Sequence, residues 1–183
     1  MVGCVIYVAL LRGINVGGKN KVAMSSLKQT FENAGMTDVV TYINSGNVVF
    51  KSKSRNKAEV EHKLEAAIKN DLNLAIRVLL RDLAAMRRLI KALPANWTND
   101  ANMRCDVLFL WKEHDKTSVV KTLPIRPEIE DVVYVPGTII WRVDRSNQTK
   151  SGLPRIIGSE FYKSVTIRNS NTVRKLVELM EST

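Results

Sequence analysis

Asp38-Val39-Val40-Thr41-Tyr42-Ile43-Asn44-Ser45-Gly46-Asn47-Val48-Val49-Phe50 reads as a β-hairpin. Two β-rich runs, 38–43 and 48–52, flank Asn44–Asn47, whose residue types favour tight turns. The stretch has a counterpart: Asp131-Val132-Val133-Tyr134-Val135-Pro136-Gly137-Thr138-Ile139-Ile140-Trp141. Asp38-Val39-Val40 aligns with Asp131-Val132-Val133, and Tyr42-Ile43 with Tyr134-Val135. Gly46 aligns with Gly137, and Val48-Val49-Phe50 with Ile139-Ile140-Trp141.

Outward from the first hairpin the pattern is regular. Residues 4–11 are an apolar strand and 12–22 a Gly/Asn/Lys-rich loop. Residues 23–34 place Met24, Leu27, Phe31 and Ala34 at helical spacing, and Gly35 stops them. A helix over 57–71, a strand over 75–80 and a helix over 82–93 follow, the last with Asp82 as N-cap and Pro94 beyond its end. The second half gives a strand (105–111), a short helix from Asp115 to 123, the hairpin (131–135 and 138–143), a weaker helix over 151–161, a strand (164–168) and a helix (172–180). Cys4 and Cys105 each open the first strand of their half.

The expected fold class is therefore α+β: a tandem duplication of two ferredoxin-like β-α-β-β-α-β halves, each with an extra C-terminal helix. The first half spans 1–93, a linker 94–103 and the second half 104–183. Both first strands are apolar on both faces, which predicts burial of both. The extra helices or the opposite half are the obvious covers.

Composition narrows the class. The 183 residues are 45% hydrophobic and 25% charged, a globular balance rather than a disordered one. The longest apolar run, Cys4–Leu11, is eight residues, far below a membrane span. No charged segment precedes a long apolar core, as a secretory signal would require. A cytoplasmic protein without a membrane partner is the expectation. Two cysteines make no disulfide framework and no metal-ligand spacing, so reduced thiols, no metal and no cofactor are expected. The net charge of +10 favours polyanions, or serves solubility alone.

No GxSxG, HExxH or DxD motif is present, and the two histidines read as surface residues, His62 within a helix and His114 in a loop. Both cysteines lie in apolar strands, where a buried thiol is inert. Whether the chain is an enzyme stays open, because a site assembled from distant residues has no local signature.

The most unusual segment is Arg12-Gly13-Ile14-Asn15-Val16-Gly17-Gly18-Lys19-Asn20-Lys21-Val22. Gly13 to Asn20 has the spacing of a phosphate loop, but Asn20 replaces the Mg²⁺-binding hydroxyl and the topology is antiparallel, so a nucleotide hydrolase is rejected. A looser anion site fits better. Arg12, Lys19 and Lys21 supply charge, Gly13, Gly17 and Gly18 backbone donors, and Asn15 an amide. The competing reading is an ordered connection that packs Ile14 and Val16 inward and points Asn15 at backbone groups. Asn44, Ser45 and Asn47 join the candidate site, since the second hairpin turns with only Pro136-Gly137. Arg168, Asn169 and Arg174 are additional candidates at the start of the last helix, where Ser170 or Asn171 would cap. Lys51, Lys53, Arg55 and Lys57 form a further basic stretch. Recognition of RNA by the sheet face is rejected, because the third strand lacks paired aromatics.

With Leu11 to Lys19, Thr41 to Phe50 and Thr166 to Val173 in view, the chain resembles a conserved bacterial family of hypothetical proteins, a domain of unknown function with an LRGINVGG-K / TYINSGNVVF / TxRNxNTV pattern. Ser170 stands where that pattern has an aromatic such as Trp. The resemblance spans essentially the whole chain and implies two ferredoxin-like halves; it brings no activity or catalytic residues. The expected function is binding of an anionic ligand, nucleic acid or a phosphorylated small molecule, at the first loop. The alternatives are an enzyme acting on a small phosphorylated or nucleotide substrate, and a protein–protein module whose basic surface is incidental.

Overall fold

A computed structural model describes residues 3–17 and 20–183. The protein is α+β, with two four-stranded antiparallel sheets, each accompanied by helices. It divides into two compact units, Met1–Met86 with Leu176–Thr183, and Arg87–Lys175.

In the first unit, β1 (Val5–Leu11), α1 (Met24–Asn33), β2 (Thr37–Tyr42), β3 (Asn47–Ser52), α2 (Lys57–Leu72) and β4 (Val78–Asp82) precede α3 (Leu83–Ala92). The sheet order is β2-β3-β1-β4. Alternation along β1 sends Tyr7, Ala9 and Leu11 into a core with Leu27 and Phe31 of α1 and Val60, Leu64 and Ile68 of α2. Val8 and Leu10, which alternate with them, are also fully buried, so both faces of β1 leave water as expected. β4 starts at Val78, three residues later than the apolar run. Asn73 ends α2 in a left-handed conformation, and α2 then fixes the strand: Glu65 Oε1 accepts from Val78 N–H (2.8 Å) and Glu61 Oε1 from Leu80 N–H (2.9 Å). Burial raises the Glu61 pKa above the ordinary carboxylate value. Asp82 caps α3 as expected, accepting from Ala85 N–H at 2.8 Å.

The second sheet, β5 (Met103–Leu110), β6 (Glu130–Val135), β7 (Thr138–Asp144) and β8 (Val165–Asn169), has the order β6-β7-β5-β8. Here the structure departs most from expectation. Within the helix predicted over 115–123 there is only a 3₁₀ segment, Thr117–Thr122, preceded by another at Lys112–His114. Thr117, Val119, Val120 and Thr122 are β-branched, and Pro124 follows, so an α-helix has little local support. Asp115 starts no helix: its Oδ1 accepts from Gly137 N–H (2.6 Å) and the Tyr134 hydroxyl (2.8 Å). The helix predicted over 151–161 is two four-residue helices, α4 (Leu153–Ile156) and α5 (Glu160–Lys163), separated by Gly158 at φ 88°. The final helix, α6 (Ser170–Ser182), starts directly after β8, and Asn169 rather than Ser170 or Asn171 caps it, accepting from Thr172 N–H at 2.8 Å.

One buried side chain organises this irregular stretch. Glu130 is 4% exposed and accepts from Arg126 N–H (2.7 Å), Trp141 Nε1–H (2.9 Å), Gly152 N–H (3.1 Å) and the Ser151 hydroxyl. A Cβ at Gly152 would lie 1.9 Å from the Pro124 carbonyl oxygen, so only glycine admits that approach.

Strand pairing corrects two alignments made from sequence. Thr41 stands opposite Val48 and Tyr134 opposite Ile139, so Tyr42 matches Val135 and not Tyr134. The first hairpin carries two more loop residues, and β2 shifts register between Thr37 and Val40, with Asp38 at φ 51°. Cys4 lies just outside β1 and is exposed, whereas Cys105 is third in β5 and buried; in strand pairing Ile6, not Cys4, corresponds to Cys105. Burial lifts the Cys105 thiol pKa to about 11.

Candidate functional site

The loop after β1 and the turn between β2 and β3 meet at one end of the first sheet. Leu11, the last residue of β1, donates its N–H to the Gly46 carbonyl at 2.8 Å, and Arg12 N–H reaches the Arg77 carbonyl at 3.3 Å. Gly46 has φ 69°, and a Cβ there would sit 2.9 Å from the Leu11 Cβ, so glycine is required by both backbone and space.

The loop closes on itself. Asn15 Nδ2 donates to the Val22 carbonyl (3.0 Å), and its Oδ1 accepts from Val22 N–H (2.8 Å). Asn20 Nδ2 donates to the Gly13 carbonyl (2.9 Å), and Asn15 N–H to the Asn20 carbonyl (3.2 Å). Gly13, Asn15, Gly17 and Asn20 have φ of 76°, 54°, 58° and 48°. These residues bend the chain at four points, while the N–H groups of Arg12, Asn15 and Val22 are used within the protein, by the Arg77 carbonyl, the Asn20 carbonyl and Asn15 Oδ1. Ile14 is buried and anchors the loop, as the ordered-connection reading has it. Val16 does not pack inward but is 63% exposed, because the bends on either side of it carry the chain away from the core.

In the turn, Asn47 is fully buried, its Nδ2 donating to the Tyr42 carbonyl (3.2 Å) and Ser45 Oγ (2.8 Å). The polar candidates thus fall into two groups. Asn15, Asn47 and Ser45 hold the backbone frame. Gly13, Gly17, Lys21 and Asn44 are exposed on it, with Arg12 partly exposed beside them, and Lys21 and Asn44 make no hydrogen bond or ion pair among the described residues. Gly18 and Lys19 lie outside the described residues. Residues 1–31 contain no Asp or Glu, and neither do residues 39–58, so both segments that build this end lack acidic side chains.

The additional candidates lie in the second unit and are engaged there. Arg168, 8% exposed, donates to Thr166 Oγ1 (2.9 Å) and the Ile167 carbonyl (2.8 Å), and burial lowers its pKa to about 10. Asn169 caps α6. Arg174 donates to the Pro94 (2.7 Å) and Trp97 (3.4 Å) carbonyls. Asn171 bridges both backbone groups of Asn99, at 2.9 and 3.2 Å. Among the described residues no three His, Cys, Asp or Glu converge as metal ligands, and no helix is long and apolar enough to cross a membrane. His62 is exposed on α2, and His114 packs edge-on against Phe161. Sequence reasoning missed Glu130 and gave Asp115 a helix-starting role it does not have, because their partners lie 11–22 residues away in all but one bond and leave no local signature.

A family model described as "Protein of unknown function (DUF1697)" matches residues 5–141. A solved structure, that of conserved bacterial protein SP0830 from Streptococcus pneumoniae, is similar with a TM-score of 0.83 and 32% identity, covering 97% of this chain and 99% of that one. No curated protein matches the chain significantly.

Proposed function

The chain belongs to the family of proteins of unknown function DUF1697, and from that premise we propose that it binds a phosphate-bearing anion at the first loop. One observation carries this reading: two segments free of acidic residues are hydrogen-bonded together through Leu11 and Gly46, and the first carries left-handed backbone with Arg12 and Lys21. Asn15, Asn47 and Ser45 position that end rather than contact the ligand. Lys19, adjoining in sequence, adds charge. The partner classes are nucleic acid and phosphorylated small molecules, and free Cys4 and Cys105 fit a reducing cytoplasm.

The same proposal treats the two units as ferredoxin-like halves of a duplication. Its support is the shared strand order and two matched pairs of contacts. Leu11 N–H to Gly46 corresponds to Leu110 N–H to Gly137 (2.9 Å), and Lys51–Asp38 (3.1 Å) to Arg142–Asp131 (3.2 Å).

Fluorescence anisotropy with labelled single-stranded RNA and duplex DNA across a salt series tests the anion site, with wild type beside Arg12→Ala/Lys19→Ala/Lys21→Ala. Binding that weakens steeply with salt, and less steeply in the variant, is expected. A variant with the wild-type salt slope would overturn the placement. Undetectable binding of both polymers at low salt moves the test to small phosphorylated ligands, and failure there overturns the reading.

A further inference from the structure

Ile43 and Val16 are apolar side chains left substantially exposed at the proposed anion-binding end. Ile43 lies in the β2–β3 turn at φ 47°. A β-branched side chain in the left-handed region crowds its own backbone, and glycine or asparagine would make the turn without that cost. Burial offsets it only in part, since Ile43 is 50% exposed. Val16, in the loop after β1, is 63% exposed. Val16 and Ile43 lie on the loop after β1 and on the β2–β3 turn, which are joined through Leu11 and Gly46. Arg12 and Lys21 share those segments, and no acidic residue does.

We propose that the ligand of this end is a single-stranded nucleic acid, with Ile43 and Val16 packing against unpaired bases while Arg12 and Lys21 contact the phosphates. The inference rests on the anion reading above and adds a ligand class to it. Simple phosphate offers nothing to an exposed isoleucine, and a duplex hides its base faces in the stack. A single strand combines a dense row of negative charge with apolar planes open on both sides, which complements segments that carry both exposed aliphatic side chains and cations. The exposed, open setting suits a polymer laid across the surface.

The test uses the full chain and two labelled oligonucleotides of about 12 nucleotides, an oligothymidine and an abasic strand with the same phosphates. Oligothymidine is expected to bind at least about tenfold tighter. Ile43→Asn, which suits the left-handed turn, is expected to lose about tenfold on oligothymidine, because roughly half of the side chain is available to a base. It should leave abasic binding, the salt slope and the thermal midpoint unchanged, or raise the midpoint. Val16→Ser should act in the same direction. Equal affinity for the two strands, or an Ile43→Asn variant that binds oligothymidine as wild type does, overturns the base contact and leaves the anion site standing. Absence of binding to either strand overturns the nucleic-acid ligand. Preferential binding to phosphatidylglycerol vesicles overturns it in favour of a lipid surface.

Discussion

Replacing Glu130 by alanine removes the common acceptor of four donors. Arg126 N–H, Gly152 N–H, Trp141 Nε1–H and the Ser151 hydroxyl converge on its two oxygens, and Trp141, Ser151 and Gly152 are buried. A buried donor left without an acceptor costs about 1–3 kcal/mol. The Ser151 hydroxyl can rotate to another acceptor, and the vacated side-chain volume can admit water to Arg126. Trp141 Nε1–H, fixed on an indole that is fully buried, and Gly152 N–H have no such escape. The loss is therefore about 3–5 kcal/mol, comparable with breaking a buried ion pair.

Glu130→Gln separates shape from hydrogen-bonding sense. The amide fills the same space, but its NH₂ must face one of two donor groups. Oriented to spare the backbone donors, it meets Trp141 Nε1–H and costs about 1–3 kcal/mol. The expected order of stability is wild type, Glu130→Gln, Glu130→Ala. Urea unfolding followed by circular dichroism measures it, with tryptophan fluorescence reporting on Trp141 among the three tryptophans. Glu130→Ala within about 1 kcal/mol of wild type would refute the argument, since that is the range of an ordinary surface change.

Four further outcomes follow from other sites. Asn15→Ala loses both bonds to Val22 and places alanine at positive φ, so a loss of about 2 kcal/mol is expected, with faster amide exchange at Val22; unchanged exchange there would contradict the framing role. Gly46→Ala adds a Cβ 2.9 Å from Leu11 at φ 69°, and should cost about 2–3 kcal/mol in thermal unfolding; a wild-type midpoint would show that the turn does not need this approach. Burial raises the Cys105 pKa from 9.0 to about 11, so the folded state holds the proton more tightly than the unfolded one. Its contribution is complete below pH 9 and is lost as pH rises through 11, by about 2–3 kcal/mol, and Cys105→Ala should flatten that decline. With a thiol reagent near pH 8, native protein should show one fast equivalent, from exposed Cys4.

Legibility in the sequence followed the range of the physics at each position. The hairpins and helices α1, α2, α3 and α6 were readable because strand alternation, helical spacing and the Asp82 cap operate within a few residues. The segment 112–124 was not, because Asp115 spends its carboxylate on Gly137, 22 residues ahead, instead of on a helix start. Glu130, which holds 151–153 from 21 to 22 residues away, was invisible for the same reason.

The candidate site divides along the same line. Its location was readable, since a run of Gly, Asn and Lys between a strand and a helix has no regular structure to form. The division of labour within it was not. Asn15 and Asn44 are the same residue type in equally polar surroundings, but Asn15 is consumed by Val22, while Asn44 is exposed. Composition identifies a polar loop; only the hydrogen-bond partners show which amides build it. The same reasoning makes Ile43 informative. An amide in a turn is explained by the turn itself, whereas an isoleucine there is opposed by both backbone conformation and solvent. The residue that folding disfavours is thus a sharper pointer to a ligand than the polar residues that folding already employs.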